Sequence, residues 1–281
     1  MLLKWIYKYA VFIIILIAFS SRLPQLLSEN LFLDGDECIV GLMAKHFAEG
    51  KGIPWFFYGQ SYGFSLIEVI TIRLFYVVFG VSDIAIRLAM LSLWVTGIVF
   101  FYKTLKYYES QNNKWAPLLI TLAFVFTPSF AIWSMKARGG YLTAFLLTSI
   151  LIYLLSSKSF GKHSILSLVY GLMIIFIYQS QPLWLAGLAT ILVYHLYKNL
   201  SIKTIGFLLL GILGGVAFFS TIKSGISQFW SPSVLSWSNF NPNTLFSIPS
   251  AVFHNLSGSY LYSQLLPSVL STKVLAFTLS V

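Results

Sequence analysis

Charge is scarce in this chain, and acid above all: 9% of its 281 residues are charged and only 8 are Asp or Glu. A water-soluble globular protein has roughly a quarter of its residues charged, so composition excludes a soluble domain. The acids are also confined, because none follows Glu109. Cysteine occurs once, as Cys38, so no internal disulfide can form and cysteine usage says nothing about redox compartment. Zinc-type Cys/His spacing is missing as well, and no metal site is predicted from it. The net charge is +10, yet Lys and Arg stand singly between apolar runs and form no stripe or block. No nucleic-acid partner is expected.

What is present is apolar surface, with 58% hydrophobic and 17% aromatic residues. Windows that could cross a bilayer, which takes roughly 20 residues each, lie near 9–27, 85–102, 115–134, 141–156, 164–180, 183–197 and 204–221. The first, after Lys4 and Lys8, has the charged start and apolar middle of a signal peptide. Because many spans follow, it reads as an uncleaved first helix. A further apolar stretch, "FSLIEVITIRLFYVVFG" (64–80), carries Glu68 and Arg73, an expensive pair to place in lipid. If that stretch stays on the outer side, Lys4/Lys8, Lys103/Lys106/Lys114, Lys158/Lys162 and Lys198/Lys203 all fall on one face with Glu109 their only acid. That is the positive-inside pattern, and it disappears if 64–80 crosses.

The expected fold class is therefore all-α: a polytopic membrane helical bundle, one transmembrane domain over 1–281 with about seven spans. The N-terminus is cytoplasmic, and interfacial helices lie in a first outer loop over 28–84. A second outer loop over 222–264 is rich in Ser, Pro, Asn and aromatics, as membrane interfaces are. The chain ends on "VLAFTLSV", too short to span, and a C-terminal part is expected to be missing.

The first outer loop holds Asp34, Asp36, Glu37 and Glu49 in "LFLDGDECIVGLMAKHFAEGKG" (31–52). Ile39, Val40, Leu42, Met43 and Phe47 recur at helical spacing up to Gly50, which predicts an amphipathic helix with Asp36 as N-cap and Glu37 at the positive end of its dipole. Capping accounts for one or two acids. The functional reading uses the rest: three carboxylates in four residues repel one another, and crowding raises one pKa toward the working pH. Such a group can take a proton from an acceptor hydroxyl, or a divalent cation could sit at Asp34/Asp36 through oxygen ligands. His46 reads as a surface histidine.

A basic counterpart stands in "TPSFAIWSMKARGGYLTAF" (127–145). Lys136 and Arg138 fall on the outer side, against the positive-inside trend. Either they snorkel to lipid headgroups, or they bind a phosphate there, Arg by a bidentate fork and Lys as a point charge. Tyr141 shares a face with Arg138 if a helix has begun by then.

Together, "LDGDECIVGLMAKHFAEGKGIPWFFYGQSYGFSLIEV", "FGVSDIAIRLAML" and "TPSFAIWSMKARGGYLTAF" resemble bacterial membrane glycosyltransferases of the GT-C class, related to protein O-mannosyltransferases and the lipid A aminoarabinose transferase. The resemblance covers roughly residues 20–150, and the remainder follows only by hydropathy. It implies a polyprenyl-phosphate-linked sugar as donor, an unidentified acceptor, and a site on the outer face of the plasma membrane. The essential carboxylate maps best onto Asp36, with Asp34 second and Glu37 beside them. The lipid phosphate would be held by Arg138 and Lys136, with Tyr141 alongside. Relatives often carry a Lys-Pro-Pro type motif where this chain has "YGFSLIEV", so Gln60, Tyr62 and Glu68 carry over only as pocket residues. Relatives often work without a metal, and they usually run far longer. The implied chemistry is a single displacement with inversion, Asp36 as base. The rival readings are a transporter or flippase of lipid-linked sugars and a non-catalytic membrane scaffold. Transporters place ionisable groups near the midplane, where the expected spans have almost none.

Overall fold

A computed structural model of the protein describes residues 7–28, 33–60, 62–109, 113–156, 164–198 and 201–223, with 249–250, 252–253 and 256. Glu29, nearly all of the 222–264 loop and the "VLAFTLSV" end lie outside the described residues. Every regular element among the described residues is an α-helix, and an isolated antiparallel bridge joins Phe56 to Phe64. The helices are α1 (Ala10–Ser20), α2 (Leu23–Leu26), α3 (Gly35–Ala48), α4 (Leu66–Phe79), α5 (Asp83–Tyr107), α6 (Ala116–Val125), α7 (Pro128–Trp133), α8 (Tyr141–Ser156), α9 (Ser164–Ser180), α10 (Leu183–Lys198) and α11 (Ile202–Ile222).

Each expected window has become helix, but not each as one rod. Only α5, of 25 residues, and α11, of 21, are long and apolar enough to cross a membrane among the described residues; α1, α6, α8, α9 and α10 are shorter apolar helices. The 115–134 window breaks because Pro128 brings no N–H to the ladder, and Thr127 before it turns extended at ψ 123°. The junction between α1 and α2 is milder, with Ser21 and Arg22 both keeping right-handed helical angles ahead of Pro24.

Ser82 starts α5 by accepting the Ala85 N–H through its hydroxyl, and Ser201 does the same for Thr204 at the head of α11. α5 runs through the main core, packed against α1, α4, α6 and α8 and burying Met90, Leu91, Trp94 and Ile98. α9 and α11 make the most extensive helix pair. Gly171, Gly211 and Gly215 permit it: a Cβ on Gly171 would strike the Leu208 carbonyl, and one on Gly211 the Leu168 carbonyl.

Contacts sort the helix ends into two groups. At one, the Tyr7 hydroxyl donates to Glu109 at 2.8 Å, Lys106 lies over the Tyr7 ring at 4.6 Å, and Trp115 meets that ring edge-on. So α1 and α6 begin where α5 ends. At the other, Arg22 donates to Ser134 and to the Val125 carbonyl while stacking on Trp94 at 4.5 Å. The Gln179 carbonyl there accepts from Gly63 and Phe64, and Lys223 donates to the Gln179 side chain at 2.7 Å. α1, α6, α9 and α11 therefore finish at the end where α5, α8 and α10 start.

α3 and α4 stay at that second end. They pair antiparallel, with the Tyr76 hydroxyl donating to the Gly41 carbonyl and Arg73 over the Phe47 ring, and rest on the first turns of α5. Both ends of α4 lie at this end: Glu68 in its first turn meets the head of α8, and its last residue, Phe79, comes three residues before Ser82 starts α5.

Candidate active site

The acidic motif is sorted by its own helix cap. Asp34, extended at ψ 173°, is the N-cap of α3, so the expected N-cap at Asp36 is corrected by two residues. Its side chain accepts the Glu37 N–H at 3.0 Å while the Glu37 carboxylate accepts the Asp34 N–H at 2.9 Å. This reciprocal capping box follows from acids three apart, and it ties up Glu37, whose side chain is 5% exposed. Asp36, between them, points outward with its side chain 49% exposed.

The basic motif closes on the same place. Asp34 Oδ2 accepts from Lys136 Nζ at 2.6 Å and from Arg138 Nη2 at 2.9 Å. Lys136 also lies 3.5 Å from Glu37, and Arg138 Nη1 lies 4.0 Å from Asp36. Burial works to raise the Asp34 carboxyl, but the Lys136 hydrogen bond, the Glu37 N–H and the two cations hold it below its ordinary value. Burial pushes Glu37 up, and the Asp34 N–H and Lys136 only partly oppose that. The Arg138 guanidinium lies over the Trp133 ring at 4.8 Å, and Trp133 stacks on Tyr141 at 5.9 Å. Lys136 and Arg138 therefore do not snorkel free toward headgroups; they are held by Asp34.

Asp36, Gln60, Tyr62, Arg138 and Tyr141 line one polar pocket of about 100 Å³, with Phe57, Gly139, Ser180 and Gln181. Tyr141 also walls a neighbouring apolar cavity of about 290 Å³ lined by Trp94, Phe130, Trp133, Phe145 and Trp184. Asp34 and Lys136 stand beside the polar pocket, and Glu37 lies behind it.

Glu68 departs from the expected pocket role. It is fully buried, and its Oε1 accepts the N–H groups of Gly140, Leu142 and Thr143 at 3.0, 3.0 and 3.2 Å. Phe57, Gly139, Ser180 and Gln181 are the pocket residues absent from the expected set; for Ser180 and Gln181 the polar break "YQSQPLW" between two apolar runs was the available signal. His46 is half-buried, 3.2 Å from the Tyr58 hydroxyl and away from the pocket.

A divalent cation at Asp34/Asp36 does not fit these residues. Asp34 Oδ2 is already neutralised by a lysine and an arginine, and a metal there would face both cations.

No family model matches the chain, and no curated protein or solved structure does.

Proposed function

We propose that this is a multi-pass membrane glycosyltransferase that moves a sugar from a polyprenyl-phosphate donor to an acceptor hydroxyl, with its site facing outward from the plasma membrane. One observation carries the reading: a carboxylate and a guanidinium, Asp36 and Arg138, face one polar pocket that touches an aromatic-walled apolar cavity at Tyr141. A donor of this kind is half polar headgroup and half isoprenoid, and a polar pocket beside an apolar one suits both halves.

In that reading the lipid phosphate is the leaving group, so no strong general acid is needed. Arg138, steered by Trp133, and Lys136 neutralise the phosphate charge that grows as the glycosidic bond breaks. Asp36 takes the acceptor proton, because Asp34 and Glu37 are engaged in the cap and its ion pairs. Among the described residues Asp36 is the carboxylate lining the pocket. A retaining mechanism needs a second carboxylate free to act as nucleophile; Asp34 is held by Lys136 and Arg138 and Glu37 by the cap, so this reading takes the reaction as a single displacement with inversion.

The membrane orientation rests on the alternation of helix ends. Lys103, Lys106 and Lys114 belong to the end opposite the pocket, which makes that end cytoplasmic by the positive-inside rule.

The test is native mass spectrometry of the detergent-purified chain offered mixed polyprenyl-phosphate sugars, followed by transfer assays and determination of the product anomer. Wild type and Asp36→Asn are expected to retain the lipid, Arg138→Ala to lose it, and Asp36→Asn to lose transfer by a hundredfold or more, on the order of what a general base contributes. Retention by Arg138→Ala equal to wild type, or a product of retained configuration, would sink the assignment.

A further inference from the structure

Glu68 is a buried acid that the transfer scheme above leaves unused, in a chain with only 8 acids. Burying a carboxylate is costly unless its oxygens are bonded. Here Oε1 gathers the N–H groups of Gly140, Leu142 and Thr143, amides at the head of α8 that no residue of α8 itself can satisfy. The cap thus comes from another helix, α4, 72 residues away in sequence.

The same turn is gripped from its other side. Gly139 and Gly140 take φ of 60° and 100°, the left-handed region that favours glycine. A Cβ on Gly140 would come 2.8 Å from the Ser180 carbonyl and 2.9 Å from that of Phe64, and one on Gly63 would come 2.7 Å from the Gly139 carbonyl. Loop 57–64 and the end of α9 therefore press the turn down onto Glu68. Arg138 enters this turn and Tyr141 leaves it, and both line the polar pocket.

We infer that Glu68 is a positioning residue: by gathering the amides of residues 140–143 it fixes the angle at which Arg138 and Tyr141 enter the pocket, and so sets the affinity for lipid phosphate. The link to lipid phosphate rests on the donor-site reading above; the hold on the turn does not. Only Oε1 is used, and Oε2 has no hydrogen-bond partner among the described residues. An amide oxygen can replace Oε1, so Glu68→Gln preserves the device and Glu68→Leu removes it.

Two readouts on the full chain in detergent test this. Hydrogen exchange at 140–143 reports the turn, and native mass spectrometry with undecaprenyl phosphate reports the site. Wild type and Glu68→Gln should exchange slowly there and bind alike; Glu68→Leu should exchange fast and bind about tenfold more weakly, the loss expected from one misdirected charged contact. Combined with Arg138→Ala, Glu68→Leu should weaken binding no further, because it acts through that side chain. Gly140→Ala, which keeps the Glu68 side chain but pushes the turn off the Ser180 and Phe64 carbonyls, should reproduce the loss even if Glu68→Leu does not fold. Additive losses in the double variant, or wild-type binding by Gly140→Ala, would overturn the inference. If wild type takes up no undecaprenyl phosphate, the donor reading fails, and fast exchange in Glu68→Leu against slow exchange in wild type still decides whether Glu68 holds the turn.

Discussion

Asp34 does two jobs with two oxygens: Oδ1 caps α3 and Oδ2 holds Lys136 and Arg138. Asparagine is an equally good N-cap but no counter-ion, so Asp34→Asn and Asp34→Ala separate the jobs. Asp34→Asn is expected to lower stability by about 1 kcal/mol, the partly exposed ion pairs being screened, and Asp34→Ala by about 2 kcal/mol, read from denaturant unfolding in detergent. Glu68 has the opposite electrostatic character. Burial pushes its carboxyl up to about 7 from an ordinary 4.5, against the pull of the N–H groups that it accepts. With the folded pKa raised, the folded state keeps a proton that the unfolded chain releases. The added stability is complete below about pH 4.5 and is lost as pH rises to about 7, roughly 3 kcal/mol in all. Unfolding midpoints across that window should fall in wild type and flatten in Glu68→Gln; Glu37, also raised by burial, adds a smaller slope of the same sign. The Asp-Gly-Asp-Glu run shows in sequence that a cap is present. Which acid serves as cap depends on a backbone angle, and the ion pairs join residues 102 and 104 apart, for which no local pattern exists.

Among the helices, glycines of identical composition have opposite meanings. Gly211 faces the Leu168 carbonyl across the α9–α11 contact, whereas a Cβ on Gly206, in the same helix, would meet nothing within 4 Å. Gly211→Ala should therefore destabilise by about 1–3 kcal/mol through overpacking. Gly206→Ala should be neutral or stabilise by up to about 1 kcal/mol, since alanine is the better helix former. Thermal midpoints of the two variants settle the contrast, and equal midpoints would contradict the packing. Helix existence was legible from apolar runs, because a run of that length has few other ways to satisfy its backbone. Helix continuity was less so: averaging hydropathy over 115–134 hides what Pro128 does to the single residue before it.

At the scale of the whole molecule, the lysines predicted an alternation of helix directions across a membrane; among the described residues, the contacts at Tyr7 and Arg22 set α1 and α6 antiparallel to α5. The pocket was not readable as a unit, because its lining comes from α3, loop 57–62, the 138–141 turn and the end of α9, pieces brought together only by packing. The lone cysteine offers a direct check of orientation. Cys38 is exposed on α3, at the pocket end. A membrane-impermeant maleimide should label it in intact cells, while Cys38→Ser carrying Lys114→Cys should label only after permeabilisation. The reverse pattern would turn the bundle upside down.

The shared oxygen of Asp34 has a kinetic consequence. An anion arriving at Lys136 and Arg138 finds a carboxylate already seated, so binding is an exchange of one anion for another, and its free energy is the difference between two sets of ion pairs. A tethered side chain stands ready to retake both cations the moment the visitor leaves. Departure then exposes no bare pair of positive charges, so on the proposed donor reading Asp34 eases the release of a spent lipid phosphate.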